Sequence, residues 1–89
     1  MYEFRWNAWN LDHVAKHGLT PDDAEFVVNR ARPPYPESIE DEKWRVRGQT
    51  EDGTYVQVVY IFSPERVIYV IHARPLTESE KRALRRRRR

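Results

Sequence analysis

The fold turns on Trp44-Arg45-Val46-Arg47-Gly48-Gln49-Thr50-Glu51-Asp52-Gly53-Thr54-Tyr55-Val56-Gln57-Val58-Val59-Tyr60-Ile61-Phe62. Its first part alternates with the period of a strand: Trp44 and Val46 take one face, and Arg45, Arg47 and Gln49 the other. Glu51-Asp52-Gly53 carries the Asp-Gly signal of a tight hairpin. Residues 55–62 are then a long β-rich run, read as the central strand. Strands joined by so short a turn lie antiparallel.

Working outward toward the C-terminus, Ser63-Pro64-Glu65-Arg66 reads as a turn and residues 67–73 as a further strand. Strict alternation puts Ile68, Val70 and His72 on one face of it, and Val67, Tyr69 and Ile71 on the other. Thr77 and Glu80 form a capping box that opens a basic helix. Working outward toward the N-terminus, residues 37–42 are acidic and loop-like, and Pro33, Pro34 and Pro36 predict an extended stretch that ends a helix. That helix opens at Thr20-Pro21-Asp22-Asp23, with Ala24, Val27, Val28 and Ala31 as its inner face. Residues 8–17 read as an earlier helix, capped by Asn7 and stopped by Gly18, with Leu11, Val14 and Ala15 as its buried stripe. Residues 2–6 form a short strand with Tyr2, Phe4 and Trp6 on one side. The order β-α-α-β-β-β-α predicts an α+β fold: a small antiparallel sheet, two N-terminal helices packed on one face, and a basic C-terminal helix.

The chain has 89 residues, enough for one domain with a thin core that buries about 60–65% of the unfolded surface. There is no room for a cofactor domain beside a substrate domain. No apolar run approaches the roughly 20 residues of a membrane span. Met1-Tyr2-Glu3-Phe4 opens without a basic n-region or an apolar signal core, so the expected location is the cytoplasm. The sequence contains no cysteine, which excludes disulfides, thiolate zinc sites and cysteine nucleophiles and suits that compartment.

The net charge of +2 hides a split. Residues 1–80 carry nine basic and fourteen acidic side chains, whereas residues 81–89 carry seven basic and no acidic ones. Lys81, Arg82, Arg85, Arg86, Arg87, Arg88 and Arg89 are therefore candidates for contact with phosphate or with an acidic protein. The division drawn is one domain over 1–84 and a basic tail over 85–89.

Chemistry-bearing side chains fall in two places. His13, Lys16 and His17 share one face of the first helix, with Trp9 one turn earlier. His-x-x-x-His spacing can serve zinc, but the glutamate of the usual helical motif is replaced by Val14, so no metal site is expected. Capping by His17 with His13 simply at the surface, or a polar functional edge, are the other readings. Arg45 and Arg47 form an i, i+2 pair, as do His72 and Arg74 on the last strand. On neighbouring strands, these residues would converge on one patch. Guanidinium forks suit phosphate oxygens, histidine titrates near neutrality, and Trp44, Tyr55, Tyr60 and Tyr69 add stacking surfaces. No serine sits in a glycine elbow, and no phosphate loop or dinucleotide fingerprint occurs among the isolated glycines.

Trp6-Asn7, then His13-x-x-Lys16-His17-Gly18-Leu19-Thr20 and Asp23-Ala24, resemble the start of the BrnT-like toxins. Arg47-Gly48-Gln49-Thr50-Glu51-Asp52-Gly53 resembles the middle of that family, and Ile71-His72-Ala73-Arg74-Pro75-Leu76-Thr77-x-x-Glu80-Lys81-Arg82 resembles its close. The resemblance runs over nearly the whole chain. It departs at Ala83-Leu84, where members commonly carry a tyrosine, and in the proline-rich segment 32–36. It implies a RelE-like fold, related to the RelE and ParE toxins, and a ribonuclease toxin of a type II toxin–antitoxin system that inhibits translation. It also implies a cognate antitoxin, of the ribbon-helix-helix, BrnA-like kind, through which the complex reaches operator DNA.

The expected mechanism is metal-independent endoribonuclease cleavage of RNA without a cofactor. Arg45, Arg47 and Arg74 hold the scissile phosphate, His72 or His17 moves protons, and Lys16 assists electrostatically. Lys81, Arg82 and the terminal arginines bind RNA. The alternative is a non-catalytic RNA- or protein-binding module of the same fold.

Overall fold

A computed structural model describes residues 2–87. The elements are β1 (Phe4–Arg5), α1 (Ala8–Ala15), α2 (Pro21–Asn29), β2 (Glu37–Glu40), β3 (Lys43–Gln49), β4 (Tyr55–Phe62), β5 (Ile68–Pro75) and α3 (Glu78–Arg87). The strands form one sheet in the order β1-β5-β4-β3-β2. β2 through β5 are antiparallel neighbours, whereas β1 runs parallel to β5, pairing Phe4 with Ile68 and Arg5 with Tyr69. The sheet is thus mixed, which corrects the all-antiparallel expectation. Two helices separate β1 from the hairpins, and no tight turn fixes its direction. The α+β class holds.

The expected acidic loop is in fact the edge strand β2 followed by a turn. Asp41 and Glu42 take φ of 26° and 63°, and Glu37 stands opposite Arg45. Alternation is illegible in Glu37-Ser38-Ile39-Glu40 because an outer strand buries almost nothing, and charged residues suit an edge. Upstream, Pro33 and Pro34 sit in a turn closed by the Tyr35 N–H donating to the Arg32 carbonyl (2.9 Å), not in an extended run. The peptide bonds preceding Pro34 and Pro36 are cis.

One face of the sheet carries the core. Val46, Val56, Val58, Tyr60, Ile68, Val70 and Ala73 cluster there with Val14, Leu19, Ala24, Val27, Val28, Tyr35, Leu76 and Leu84. α2 lies over β3 and β4, and α1 runs beside β5. Both helices begin with capping boxes, Asn7 with Asn10 and Thr20 with Asp23, which satisfy otherwise unpaired N–H groups. The stripe expected for α1 is corrected. Val14 is buried, but Leu11 and Ala15 are exposed, and the second buried position is Asn10. Its amide donates to the Arg5 carbonyl (3.0 Å) and its Oδ1 accepts the Asn7 N–H (2.8 Å). Gly18 follows with φ of 76°, the left-handed geometry that stops the helix.

β5 contains an irregularity that decides the site. Its pairing with β4 matches Val70 to Tyr60 but His72 to Val59, so Ile71 is an extra residue. A β-bulge of this kind resets the alternation. Ile68 and Val70 face the core, and after the bulge Ala73 does so too. His72 and Arg74 consequently join the opposite face, contrary to the expectation that His72 shares a face with Ile68 and Val70.

Candidate functional site: a sheet face of arginine and histidine

On the face away from the core, the register aligns two cross-strand rows. Arg47, Gln57 and Arg74 form one, and Arg45, Val59 and His72 the other. Residues two apart along a strand are about 7 Å apart, and strand neighbours about 4.8 Å, so the four ends span about 7 by 10 Å. Gln57 and Val59, in the middle strand, are only 7% and 6% exposed. Arginine and histidine flank both of them across the strands.

The arginines are held by carboxylates. Glu80, on the first turn of α3, receives a bidentate fork from Arg74: Nη1 to Oε1 and Nη2 to Oε2, both 2.8 Å. Arg47 Nη2 donates to the same Oε2 at 3.1 Å, and Arg47 Nε donates to Gln57 Oε1 at 2.9 Å. Arg45 donates through Nε and Nη2 to Glu37 Oε1, at 2.9 and 2.7 Å. Glu80 also completes the Thr77 capping box, accepting the Thr77 N–H at 2.8 Å while the Glu80 N–H donates to Thr77 Oγ1. The Arg74 fork, the Thr77 N–H and nearby Arg47 hold the Glu80 carboxyl far below the usual carboxylate range. The capping box was legible as Thr-x-x-Glu. Nothing in that spacing signals that the same carboxylate reaches two strand arginines.

His72 sits half-buried at the end of its row. Burial, then the positive charge of Arg74, then His17 and His13, push its pKa below the ordinary histidine value, so it stays neutral near pH 7. The His17 ring meets it edge-on, with centroids 6.0 Å apart. α1 ends before His17, which is why this ring turns to β5 while Lys16 reaches back to Asp12 (3.8 Å) on the exposed side. The structure therefore joins Arg45, Arg47, Arg74, His72 and His17 and directs Lys16 elsewhere. His13 turns the other way, its Nδ1 within 2.8 Å of the Trp9 carbonyl and its ring stacked on Trp9. Among the described residues, no group of three or more histidines and carboxylates is placed to hold a metal ion.

α3 continues through Arg87, so Arg85, Arg86 and Arg87 extend the helix. Arg85 lies over the Tyr55 ring, and Arg87 donates to the Tyr35 hydroxyl at 3.1 Å. Lys81 pairs with Glu78, and Arg82 and Arg86 are exposed. Arg88 and Arg89, assigned to RNA binding from the sequence, lie outside the described residues. Two clefts, of about 510 and 400 Å³, lie around Trp44 and Phe62 and around Phe26, and are lined by none of these groups. No helix among the described residues is long and apolar enough to cross a membrane. Comparisons with family models, curated proteins and solved structures found no match in any of the three.

Proposed function

We propose that this chain is a metal-independent endoribonuclease of the BrnT-like, RelE-related kind, acting as the toxin of a type II toxin–antitoxin pair in the cytoplasm. The observation that carries the reading is the gathering of Arg45, Arg47 and Arg74 with His72 and His17 at one sheet face. The RNA 2′-oxygen attacks its own phosphorus, the 5′-oxygen leaves, and a 2′,3′-cyclic phosphate results. One proton is taken from the 2′-hydroxyl and one is given to the leaving oxygen. Neutral His72 suits the first transfer, and exposed His17, 6.0 Å away, suits the second. The arginines balance charge on the phosphorane, with the phosphate competing against Glu80 for Arg47 and Arg74. The resemblance adds a ribbon-helix-helix antitoxin as partner, and operator DNA through that complex.

A second reading has its own support. Glu37 and Glu80 already match two of the three arginine charges, which favours a non-catalytic module that binds RNA or protein. Expression without the neighbouring gene separates the two: a toxin arrests growth and a module does not. In solution, the purified chain should cut RNA in the presence of a strong chelator. Arg74→Ala should lower that rate on the order of 10²-fold. Undiminished growth together with uncut RNA would reject the enzyme.

A further inference from the structure

Trp9 is 49% exposed and belongs to no part of the core, although a tryptophan ring is the costliest side chain to leave in water. It is also well held. His13 stacks on it with centroids 3.7 Å apart and planes 25° apart, and Tyr69 lies 6.2 Å away at 22°. The carbonyl of Trp9 takes the His13 Nδ1–H at 2.8 Å, which fixes the imidazole against the indole. One atom, Asn7 Oδ1, organises the rest, accepting the Trp9 N–H at 3.1 Å and the Tyr69 hydroxyl at 3.0 Å. Trp9 is thus held in advance, within about 25° of parallel to each of two neighbouring rings.

Their position connects them to the arginine–histidine face. Tyr69 and His72 project from the same side of β5 because the bulge lies between them. They are about 7–10 Å apart along the strand. α1 presents Trp9, with His13 stacked on it, beside Tyr69, and His17 follows beside His72.

We propose that Trp9, backed by His13 and Tyr69, is a stacking site for one unpaired nucleobase of single-stranded RNA, next to the phosphate held by the arginines. The inference rests on the ribonuclease reading for the identity of the strand, and it adds a base subsite to it. Stacking accepts any base, since every base has a π face, and so gives affinity with weak sequence preference. The ordered rings lose little conformational freedom on binding. A partner protein burying Trp9 is the competing occupant. The nearby row of phosphate-binding guanidinium groups favours the nucleotide.

The test uses the full chain and a 2′-O-methyl oligoadenylate, which lacks the attacking hydroxyl and stays intact, beside an abasic chain of equal length. Trp9→Leu should weaken oligoadenylate binding about tenfold and leave abasic binding and its salt slope unchanged. Trp9→Tyr, which keeps a ring, should retain most of the affinity, and thermal melts check that both variants fold. Equal binding of the two oligonucleotides by the unaltered chain would overturn the proposal. So would unchanged oligoadenylate affinity in Trp9→Leu, or an equal loss for both chains. Trp9→Leu that loses only neutralisation by the neighbouring gene's product would assign the surface to a protein instead. Binding without cleavage would leave the base site standing and remove the ribonuclease reading. Cleavage with binding insensitive to Trp9 would do the reverse.

Discussion

On one side of β3, β4 and β5, Val46, Val58 and Val70 disappear under α1 and α2. On the other, Gln57 and Val59 are nearly as hidden, between the arginine and histidine positions of the flanking strands. The first face excludes water with apolar bulk and gains roughly 25 cal/mol per Å² buried. The second does so with charged groups whose ends must be matched, by Glu37 and Glu80. A face built this way costs stability to assemble and keeps exchangeable partners at the surface. The difference teaches that apolar burial and charge pairing are divided between the two sides of the same three strands.

Substitutions break that division in graded ways. Tyr60→Ala attacks the closed side, where the ring is 1% exposed. It should cost about 3–5 kcal/mol in denaturant unfolding, which a chain this small barely survives. His72→Asn attacks the open side: cleavage should fall about 10²–10⁴-fold while the unfolding midpoint moves far less. In the unaltered chain the acid limb of the cleavage profile should lie below pH about 6.5, because burial and Arg74 lower the His72 pKa. A limb above that value would contradict the assignment.

Glu80→Gln sharpens the comparison, since it removes the charge that holds Arg47 and Arg74 and leaves the core untouched. It should destabilise by about 1–3 kcal/mol near neutrality. The sign with pH follows from the lowered carboxyl. Its contribution is fully present above about pH 4.3, the unfolded value, and is lost as pH falls below that toward the folded value. Urea titrations across that range should converge for the two proteins at the acid end, and parallel curves would show that Glu80 is not the group responsible. Arg86→Ala, on exposed helix surface, should be mildest. Stability should stay within about 0.5 kcal/mol, and the slope of log RNA affinity against log salt should fall by about 0.7 if Arg86 meets one phosphate.

What the sequence made legible follows the strength of its local signals. The 55–62 strand and the Asp-Gly hairpin were clear because apolar β-branched residues and a turn dipeptide agree there. Arg45 and Arg47 on a common face followed from the same alternation. β2 was hidden because an edge strand needs no apolar pattern, and β1's direction because two helices intervene. On α1, Leu11 and Ala15 look like core by helical spacing. The helix lies beside β5, where a single apolar position, Val14, reaches the interior with Asn10 tied to the chain end. His72 and Arg74 were expected to neighbour the strand arginines, but on an alternation that the bulge at Ile71 overrides. Glu80's second role depends on where α3 starts in space, and a capping box says nothing of that.

The bulge gives β5 two reading frames. Up to Val70, odd positions look outward. From His72 on, even positions do, with Ile71 as the frameshift between them. In a descendant chain, losing one residue here would not merely shorten a strand. It would remove the frameshift, and plain alternation from Val70 onward would still send His72 and Arg74 outward and Ala73 to the core. Flattening the bulge with Ile71 retained would do the opposite and turn His72 and Arg74 toward the core, so the local pairing at this one position decides which side chains that face displays.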